Sequence, residues 1–279
     1  MGIEDIITLA KNKGVDVLAI TDHDCQAANE RARILGERFS VRVIPGAEIS
    51  ALDEETGRVI HLLCYNPSCP DRLEELCKQN LAAAKRSAQL VVMKVAKLFS
   101  IPPEIIRRCG QGATNLYKQH IMHALMECGV TDSIYSDLHD RLFSEQSSEN
   151  ILVTPSYAPV KTVLDNIRAA DGISVLAHPL LYRDDTLLDR MIATGVDGVE
   201  VWHPSADAAQ SERLLQKTRG AGLLAVGGSD FHGMYNKTPL QPGDYTTPEV
   251  YLNEFLNFKN KRRRQQKKEA ELGADSPRR

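Results

Sequence analysis

Short apolar runs that end in a histidine or a carboxylate recur along this chain, and they constrain its fold more than any other feature. They cover residues 17–23, 43–48, 59–61, 175–178 and 223–232, and the last ends in a Gly-Ser-Asp-Phe-His turn. Their aliphatic residues are typical of buried parallel strands. Because an α/β barrel builds its active site at the carboxyl ends of its strands, these runs predict one shared metal centre at a barrel mouth.

Composition sets only broad limits on the class of protein. The chain has 279 residues, of which 42% are hydrophobic, and a net charge of −3, which gives no reason to expect a nucleic-acid or membrane partner. No apolar stretch approaches the roughly 20 residues that span a bilayer, and the N-terminus lacks the pattern of a signal peptide. Six cysteines without a CxxC pair indicate reduced thiols, so we expect a cytoplasmic protein.

Helical and strand-like segments alternate at both ends of the chain but not in its middle. Helical spacing covers residues 2–14, 26–39, 73–99, a segment that opens at 101–104, 118–127, 133–143, 160–170, 186–194 and 206–220. Polar residues 53–57 separate two strands and predict a hairpin. We expect a barrel made of residues 1–67 and 154–240, a helical insertion at 68–153, and a C-terminal extension at 241–279 with a disordered basic tail.

The residue types at the strand ends suit a divalent ion. Imidazole nitrogens and carboxylate oxygens, without cysteine, favour Mn, Fe, Zn or a related ion. A carboxylate can bridge two ions about 4 Å apart, which orient a water and hold a phosphate for in-line displacement. The ordinary alternatives are a core histidine at His61, a surface carboxylate at Glu48, a strand end at His178, and helix caps at Asp22 and Asp24. Their joint placement favours a metal site.

Several motifs resemble, in order and rough spacing, the polymerase and histidinol phosphatase (PHP) family. They are Thr21-Asp22-His23-Asp24, Gly46-Ala47-Glu48, His61, Ala177-His178-Pro179 and Gly228-Ser229-Asp230-Phe231-His232-Gly233. The helical insertion and the Ala-His-Pro segment are most similar to the branch of nucleoside 3′,5′-bisphosphate phosphatases, which also trim RNA from the 5′ end. The resemblance covers roughly residues 1–235.

The resemblance implies an α/β fold, a distorted (β/α)7 TIM-like barrel, with up to three divalent ions. Manganese is the expected metal, with iron, zinc and magnesium as alternatives. The metal ligands would be His23, Glu48, His61, His178, Asp230 and His232. A metal-activated water would attack the phosphate of a small nucleotide or short RNA, so no catalytic side-chain nucleophile is expected.

This chain departs from the family pattern at its start. The family opens with a strand that carries His-x-His, followed by the helix that begins here at Gly2, and this chain begins after that strand. By analogy one ion keeps Glu48, His61 and His178, a second keeps Glu48 and Asp230, and a third keeps His23 and His232. Two interpretations remain open: the natural protein starts upstream, or the chain is a weakened or inactive form whose first strand is absent.

A second departure lies in the insertion, where the family branch has Arg-Pro-His and this chain has Lys-Gln-His at 118–120. Lysine keeps the charge of arginine but loses its bidentate fork. Lys118 and His120 are the substrate-binding candidates, although His120 could equally lie on an ordinary helix surface. We expect His123 and His139 at the surface, and His203, which ends another strand, is a weaker candidate for substrate contact.

These observations together predict a metal-dependent phosphoesterase that acts on nucleotides or short oligoribonucleotides and has no membrane partner. The alternatives are a catalytically impaired PHP-like module that binds a metal or a nucleotide, and a histidinol-phosphate phosphatase. The basic run at residues 261–264 either attracts an RNA backbone or forms a solvated helix end.

Overall fold

The computed structural model describes residues 1–274, with the side chains of residues 1–269. In this part of the chain the helices are α1 (Ile3–Asn12), α2 (Asn29–Phe39), α3 (Glu74–Phe99), α4 (Pro103–Cys109), α5 (Lys118–Glu127), α6 (Asp137–Phe143), α7 (Val160–Ala169), α8 (Leu187–Thr194), α9 (Ala208–Gly220) and α10 (Glu249–Ala274). The strands are β1 (Val17–Ile20), β2 (Arg42–Asp53), β3 (Arg58–Tyr65), β4 (Ile173–Leu176), β5 (Gly198–Trp202) and β6 (Leu224–Gly227).

The six strands form one curled, half-barrel sheet in which they lie in sequence order, so the chain has a mixed α/β fold. β1 is parallel to β2, and β4, β5 and β6 are parallel to one another. β3 is antiparallel to both of its neighbours. The expectation that all the apolar runs are parallel strands is therefore wrong for residues 59–61. The reason is local: the turn that ends at Gly57, with φ of 69°, joins β2 directly to β3 and forces them antiparallel.

The direction of β3 explains how a histidine near the start of a strand can reach the same end of the sheet as residues that follow other strands. His61 is the fourth residue of β3 and pairs with Ser50, late in β2. Because an antiparallel strand enters where its neighbour leaves, the first half of β3 lies at the carboxyl ends of β1, β4, β5 and β6. His61 therefore lies at the end of the sheet where the metal centre was expected, although β3 runs in the opposite direction to the one expected.

Most of the helices pack in one of two separate hydrophobic clusters. The larger one lies between the sheet and α7, α8 and α9, and it includes Leu62, Leu164 and Val199. The segment from the second half of α3 to α6 has a cluster of its own, around Val95 and Met122. α3 joins the two, because its first turns pack in the larger cluster and its last turns pack in the other.

The C-terminal helix α10 packs against the sheet at the end opposite the carboxyl termini of the parallel strands. The Phe255 ring meets the Tyr65 ring edge-on, 5.4 Å away. A disordered basic tail or a solvated helix end was expected here, and residues 261–264 lie inside α10, which such anchors and the high helix propensity of Lys, Arg and Gln favour. Residues 275–279 lie outside the described residues. Among the described helices, none is both long and apolar enough to cross a bilayer.

Candidate metal centre

Glu48 is the hub of a cluster of imidazoles at the carboxyl ends of the parallel strands. Its Oε1 atom lies 2.9 Å from Nδ1 of His61, 3.1 Å from Nε2 of His178 and 3.9 Å from Nδ1 of His23. Only 6% of the surface of Glu48 is exposed, so these imidazoles replace water as its partners. Four segments that are far apart in the sequence thus deliver one carboxylate and three histidines to one point.

Backbone pairing beyond β1 places His23 beside Glu48. The backbone N–H of Asp24 donates to the carbonyl of Glu48 over 2.8 Å, and the N–H of Glu48 donates to the carbonyl of Asp22 over 3.2 Å. His23 and Glu48 therefore form a parallel bridge past the end of the regular strand. On the other side of β2, His61 is diagonal to Glu48 and faces the same side of the sheet.

Asp230 and His232 extend the cluster toward β6. Oδ2 of Asp230 lies 3.3 Å from Nε2 of His203, and Oδ1 lies 3.4 Å from Nδ1 of His232. The His203 ring is 5.5 Å from the His178 ring, and the His232 ring is 6.2 Å from the His23 ring. The structure therefore brings all the residues expected as ligands into one continuous group. His203 is an additional member, which was expected only as a weaker substrate contact.

Three residues in or beside this group have positive φ angles, which are unfavourable for residues that carry a side chain. The φ angles are 48° at Asp24, 30° at His178 and 45° at Asp230. Non-glycine residues with positive φ are uncommon, and such conformations are concentrated at functional sites because the surrounding structure must hold them in place. In the loops that follow β1, β4 and β6, the backbone thus adopts unfavourable conformations that place these residues beside the cluster.

The protons of the cluster are unevenly shared. Burial would raise the pKa of Glu48, but the charges of His23 and His61, with hydrogen bonds from the imidazoles, outweigh burial and hold that pKa well below its usual range. Burial lowers the pKa of His23. Burial also opposes protonation of His178, but the hydrogen bond and charge of Glu48 outweigh it and raise the pKa of His178 to about 9. The carboxylate thus favours protonation of its imidazole partners, whereas burial opposes it.

The donor atoms fit a divalent ion. Nδ1 of His61 and Nε2 of His178 are 3.3 Å apart, and each is about 3 Å from Oε1 of Glu48. A tetrahedral ion with bonds of about 2.1 Å needs ligand atoms roughly 3.4 Å apart, close to the edges of this triangle. When they are protonated, both ring nitrogens can donate to Oε1 of Glu48, and a bound cation would instead use their lone pairs. The set contains no sulfur, which suits Mn, Fe or Zn bound by nitrogen and oxygen.

A buried polar network behind the centre was not predicted as part of it. Asp24 accepts hydrogen bonds from the backbone N–H and the hydroxyl of Ser50, over 3.0 and 2.7 Å, and from the amide of Asn80 over 2.7 Å. The same amide group of Asn80 also donates to the carbonyl of Ser50 over 2.8 Å. The network joins the loop that carries His23 to the strand that carries Glu48 and to helix α3. Asp24 was considered only as a helix cap.

Glu200 is a second residue that the sequence analysis missed. It lies in the middle of β5 with 5% of its surface exposed, and its Oε2 accepts a hydrogen bond from the backbone N–H of His178 over 2.8 Å. Burial raises its pKa to about 7, although the charges of His203 and His178 act in the opposite direction. A single carboxylate in the apolar run Gly-Val-Glu-Val-Trp was the available signal, because an acid in a buried strand requires partners.

The two substrate-binding candidates, Lys118 and His120, differ in their exposure to solvent. Lys118 begins α5 and is solvent-exposed, and the charge that acts on its ammonium group is that of Glu145. His120 is buried, so its alternative as an ordinary surface residue is wrong: its Nδ1 accepts a hydrogen bond from the backbone N–H of Tyr117 over 3.1 Å. The ring of Tyr117 lies 5.8 Å from that of His23, so this tyrosine links the insertion to the cluster.

His123 and His139 were expected at the surface, and both are partly buried. Nδ1 of His123 lies 3.1 Å from the hydroxyl of Tyr235, and Nδ1 of His139 lies 3.0 Å from Oδ1 of Asp140. His123 therefore has tertiary contacts beyond its own helix, whereas His139 interacts with an adjacent exposed aspartate.

The chain is similar in sequence to proteins that are named as hydrolases of phosphate esters. The chain is 30% identical over 240 residues to the phosphoribosyl 1,2-cyclic phosphate 1,2-diphosphodiesterase of Eggerthella lenta, an alignment that covers 85% of this chain and 90% of the relative. It is 29% identical over 239 residues to the 5′-3′ exoribonuclease Rnm of Escherichia coli, which covers 82% of this chain and 79% of the relative. No protein-family profile matches the chain.

A solved structure agrees with these relatives. A Bifidobacterium adolescentis protein, named as a metal-dependent phosphoesterase, superposes with a TM-score of 0.78 at 27% sequence identity. The match covers 91% of this chain and 90% of the other. The similarity therefore includes the sheet and the insertion together.

Proposed function

The chain belongs to the polymerase and histidinol phosphatase (PHP) family, whose named relatives are hydrolases of phosphate esters, and we propose that it is a metal-dependent phosphoesterase of nucleotides or short RNA. The observation that carries the proposal is the triangle of Glu48 Oε1, His61 Nδ1 and His178 Nε2, with edges of 2.9, 3.1 and 3.3 Å. A largely buried triangle of ionisable groups costs desolvation energy that a hydrophobic cluster of the same size would not.

The proposed ligands fall into three neighbouring groups around Glu48 and Asp230. Glu48, His61 and His178 would hold one ion, Glu48 and Asp230 would face a second, and His23 and His232 would face a third. His203, which is bound to Asp230, would orient that carboxylate or share its ion. Bound ions would supply activation of a water and neutralisation of phosphate charge.

The chain itself holds the carboxylates, orients the imidazoles and limits access of solvent. Glu200 fixes the backbone of His178, and Asp24 fixes the loop of His23. Tyr117 lies against His23 at the side where the insertion meets the sheet. We propose that Lys118 contributes positive charge to a phosphate that enters from this side, and that His120 acts indirectly, by holding the backbone of Tyr117.

The wider assignments follow from the same proposal. We propose that the curled sheet belongs to a (β/α)7 barrel with the metal centre at its mouth, and that residues 68–153 form an insertion beside that mouth. Manganese is the metal that we would test first, because the donor set is nitrogen and oxygen. We also propose a cytoplasmic location, which is consistent with a small nucleotide substrate.

The test uses the full chain purified with its metal. Hydrolysis with Mn²⁺ is measured as phosphate release from adenosine 3′,5′-bisphosphate and histidinol phosphate, and as product formation by chromatography from a 5′-phosphorylated oligoribonucleotide and a ribose 1,2-cyclic phosphate. We expect turnover of at least one substrate other than histidinol phosphate, lost in His178→Ala and kept in the control His139→Ala, whose imidazole lies outside the cluster. Bound metal without turnover of any substrate would instead support an impaired binding module. Turnover of histidinol phosphate alone would contradict the nucleotide assignment.

A further inference from the structure

A second group of metal-binding side chains lies in the helical insertion, apart from the centre around Glu48. Cys109 is the last residue of α4, and His123 and Glu127 are four residues apart on α5. One donor atom from each residue lies within 4.8 Å of the other two. Residues at i and i+4 face the same side of a helix, so the spacing that brings His123 and Glu127 together is a property of α5 itself.

The hydroxyl of Tyr235 sets the orientation of the His123 ring. It lies 3.3 Å from the carbonyl of Cys109, to which it donates, and 3.1 Å from Nδ1 of His123. Since the hydroxyl proton is used by the carbonyl, Nδ1 of His123 is the donor and the lone pair is on Nε2. Nε2 lies 3.7 Å from Oε1 of Glu127. Metal-binding histidines commonly have this arrangement, in which the remote ring nitrogen donates to a fixed acceptor.

The chemistry of the group differs from that of the centre around Glu48. A thiolate, an imidazole and a carboxylate together favour Zn²⁺ over Mg²⁺ or Mn²⁺, because sulfur is a soft ligand. Burial and the nearby charge of Glu127 raise the pKa of the Cys109 thiol, so a bound ion would have to displace its proton. The guanidinium of Arg108 also binds Glu127, and it would have to share that carboxylate with an ion.

We propose that Cys109, His123 and Glu127 form a second metal site that takes Zn²⁺, with water as the fourth ligand. Bonds of about 2.1 Å to nitrogen and oxygen and about 2.3 Å to sulfur place ligand atoms roughly 3.5 Å apart. The side chains therefore need to close by about 1 Å, which partly exposed residues at the end of α4 and in the second half of α5 can do.

The site would fix the insertion to the loop that carries two proposed ligands of the other centre. Tyr235 follows His232 by three residues, and its carbonyl accepts a hydrogen bond from the hydroxyl of Tyr135 over 2.6 Å. Its ring also meets the buried His120 edge-on at 4.9 Å. A zinc ion bound to Cys109 and His123 would lock both groups that hold the Tyr235 hydroxyl, and through it the loop of Asp230 and His232.

Cobalt substitution tests the proposal directly. The ligands proposed for the other centre include no cysteine, so a thiolate-to-cobalt charge-transfer band in the near ultraviolet can report the Cys109 site alone. We expect the full chain, loaded with Co²⁺, to show this band together with the intense visible bands of tetrahedral cobalt. Cys109→Ser and His123→Ala should each lose it and bind one equivalent of Zn²⁺ fewer, whereas Cys69→Ser, which alters an exposed cysteine, should keep both.

The outcomes are decisive because they do not depend on catalysis. A charge-transfer band that persists in Cys109→Ser, or equal zinc content in that variant and in the unaltered chain, overturns the proposal. Circular dichroism of each variant shows whether it is folded. If Cys109→Ser fails to fold, Glu127→Gln, which keeps the size of the side chain, replaces it: a shift of the tetrahedral cobalt bands supports the site, and an unchanged spectrum contradicts it.

Discussion

Two carboxylates at opposite ends of the sheet, Asp171 and Glu48, show how differently this protein uses a buried or half-buried acid. Asp171 precedes β4 and is bound by permanent cations: Nζ of Lys259 at 3.0 Å, and guanidinium nitrogens of Arg262 at 2.8 Å and Arg263 at 2.7 Å. Glu48 lies in β2, and its partners among the described ion pairs are imidazoles.

The partners of the two carboxylates differ in whether they can give up a proton. Lysine and arginine stay protonated at neutral pH, so they saturate Asp171 and fix α10 to the sheet. An imidazole that gives up its proton presents a lone pair, so the partners of Glu48 can exchange protons for a metal ion. A cluster of charges is thus structural where the cations are permanent, and suited to metal binding where they are not.

Glu48→Gln should have the largest effect. The amide keeps the size of the side chain but removes the charge that we propose two ions share. We expect kcat/KM for phosphate release to fall on the order of 10²–10³-fold, with loss of bound metal measured by elemental analysis. Asp171→Asn is the matched control at the opposite end of the sheet. Equal activity losses in the two variants would break the distinction between these carboxylates.

Asp24→Asn should have the next largest effect on activity. Asp24 only positions its neighbours, so weakening its bonds with Ser50 and Asn80 should lower metal affinity by about 10- to 100-fold. The loss should be greater at limiting Mn²⁺ than at saturating Mn²⁺, as titration of activity with metal can show. Asp16→Asn, which alters an exposed aspartate just before β1, is the control. A loss that excess metal does not reduce would indicate a different role for Asp24.

Asp171→Asn should change stability rather than chemistry. Burial would raise the pKa of Asp171, but hydrogen bonds from Arg263, Lys259 and other partners hold it well below its usual range. Its stabilisation is therefore complete above the unfolded pKa of about 3.9 and is lost as pH falls through the lower folded pKa. We expect a loss on the order of 1 kcal/mol at pH 7 by urea denaturation, and a smaller difference from the unaltered chain in strong acid.

Lys118→Gln should have the smallest effect. The side chain is exposed and Glu145 offsets part of its charge, so we expect KM for the substrate to rise roughly 3-fold with kcat unchanged. Lys97→Gln, on the exposed end of α3, should change neither constant. A large fall in kcat would mean that Lys118 reaches the phosphate in the transition state.

Much of the fold was predictable because secondary structure depends on local patterns. The expected helix at 118–127 coincides with α5, and the polar segment at 53–57 does join β2 to β3. The direction of β3 was not recognised, although the hairpin implied it. An apolar run has the same appearance in a parallel and an antiparallel strand, so only its partners decide which it becomes.

Part of the metal centre was predictable for a related reason. A histidine or carboxylate after an apolar run is a local signal, and it identified residues that the structure brings together. Glu200 and Asn80 gave weaker signals, because a carboxylate within a strand and an asparagine within a long helix acquire meaning only through their contacts. Asp24 was read as a helix cap, since its neighbours in sequence permit that role.

The sequence by itself determined the order of helices and strands, the residues that could bind a metal and the resemblance to one family of phosphoesterases. Only the tertiary structure decided that Glu48 is the point where the imidazoles meet, that Asp24 is buried against Ser50 and Asn80, and that Tyr235 lies between the insertion and the metal centre. The physical reason is that periodicity and residue type act over a few residues, whereas these contacts join segments up to 130 positions apart and exist only when the whole chain is packed.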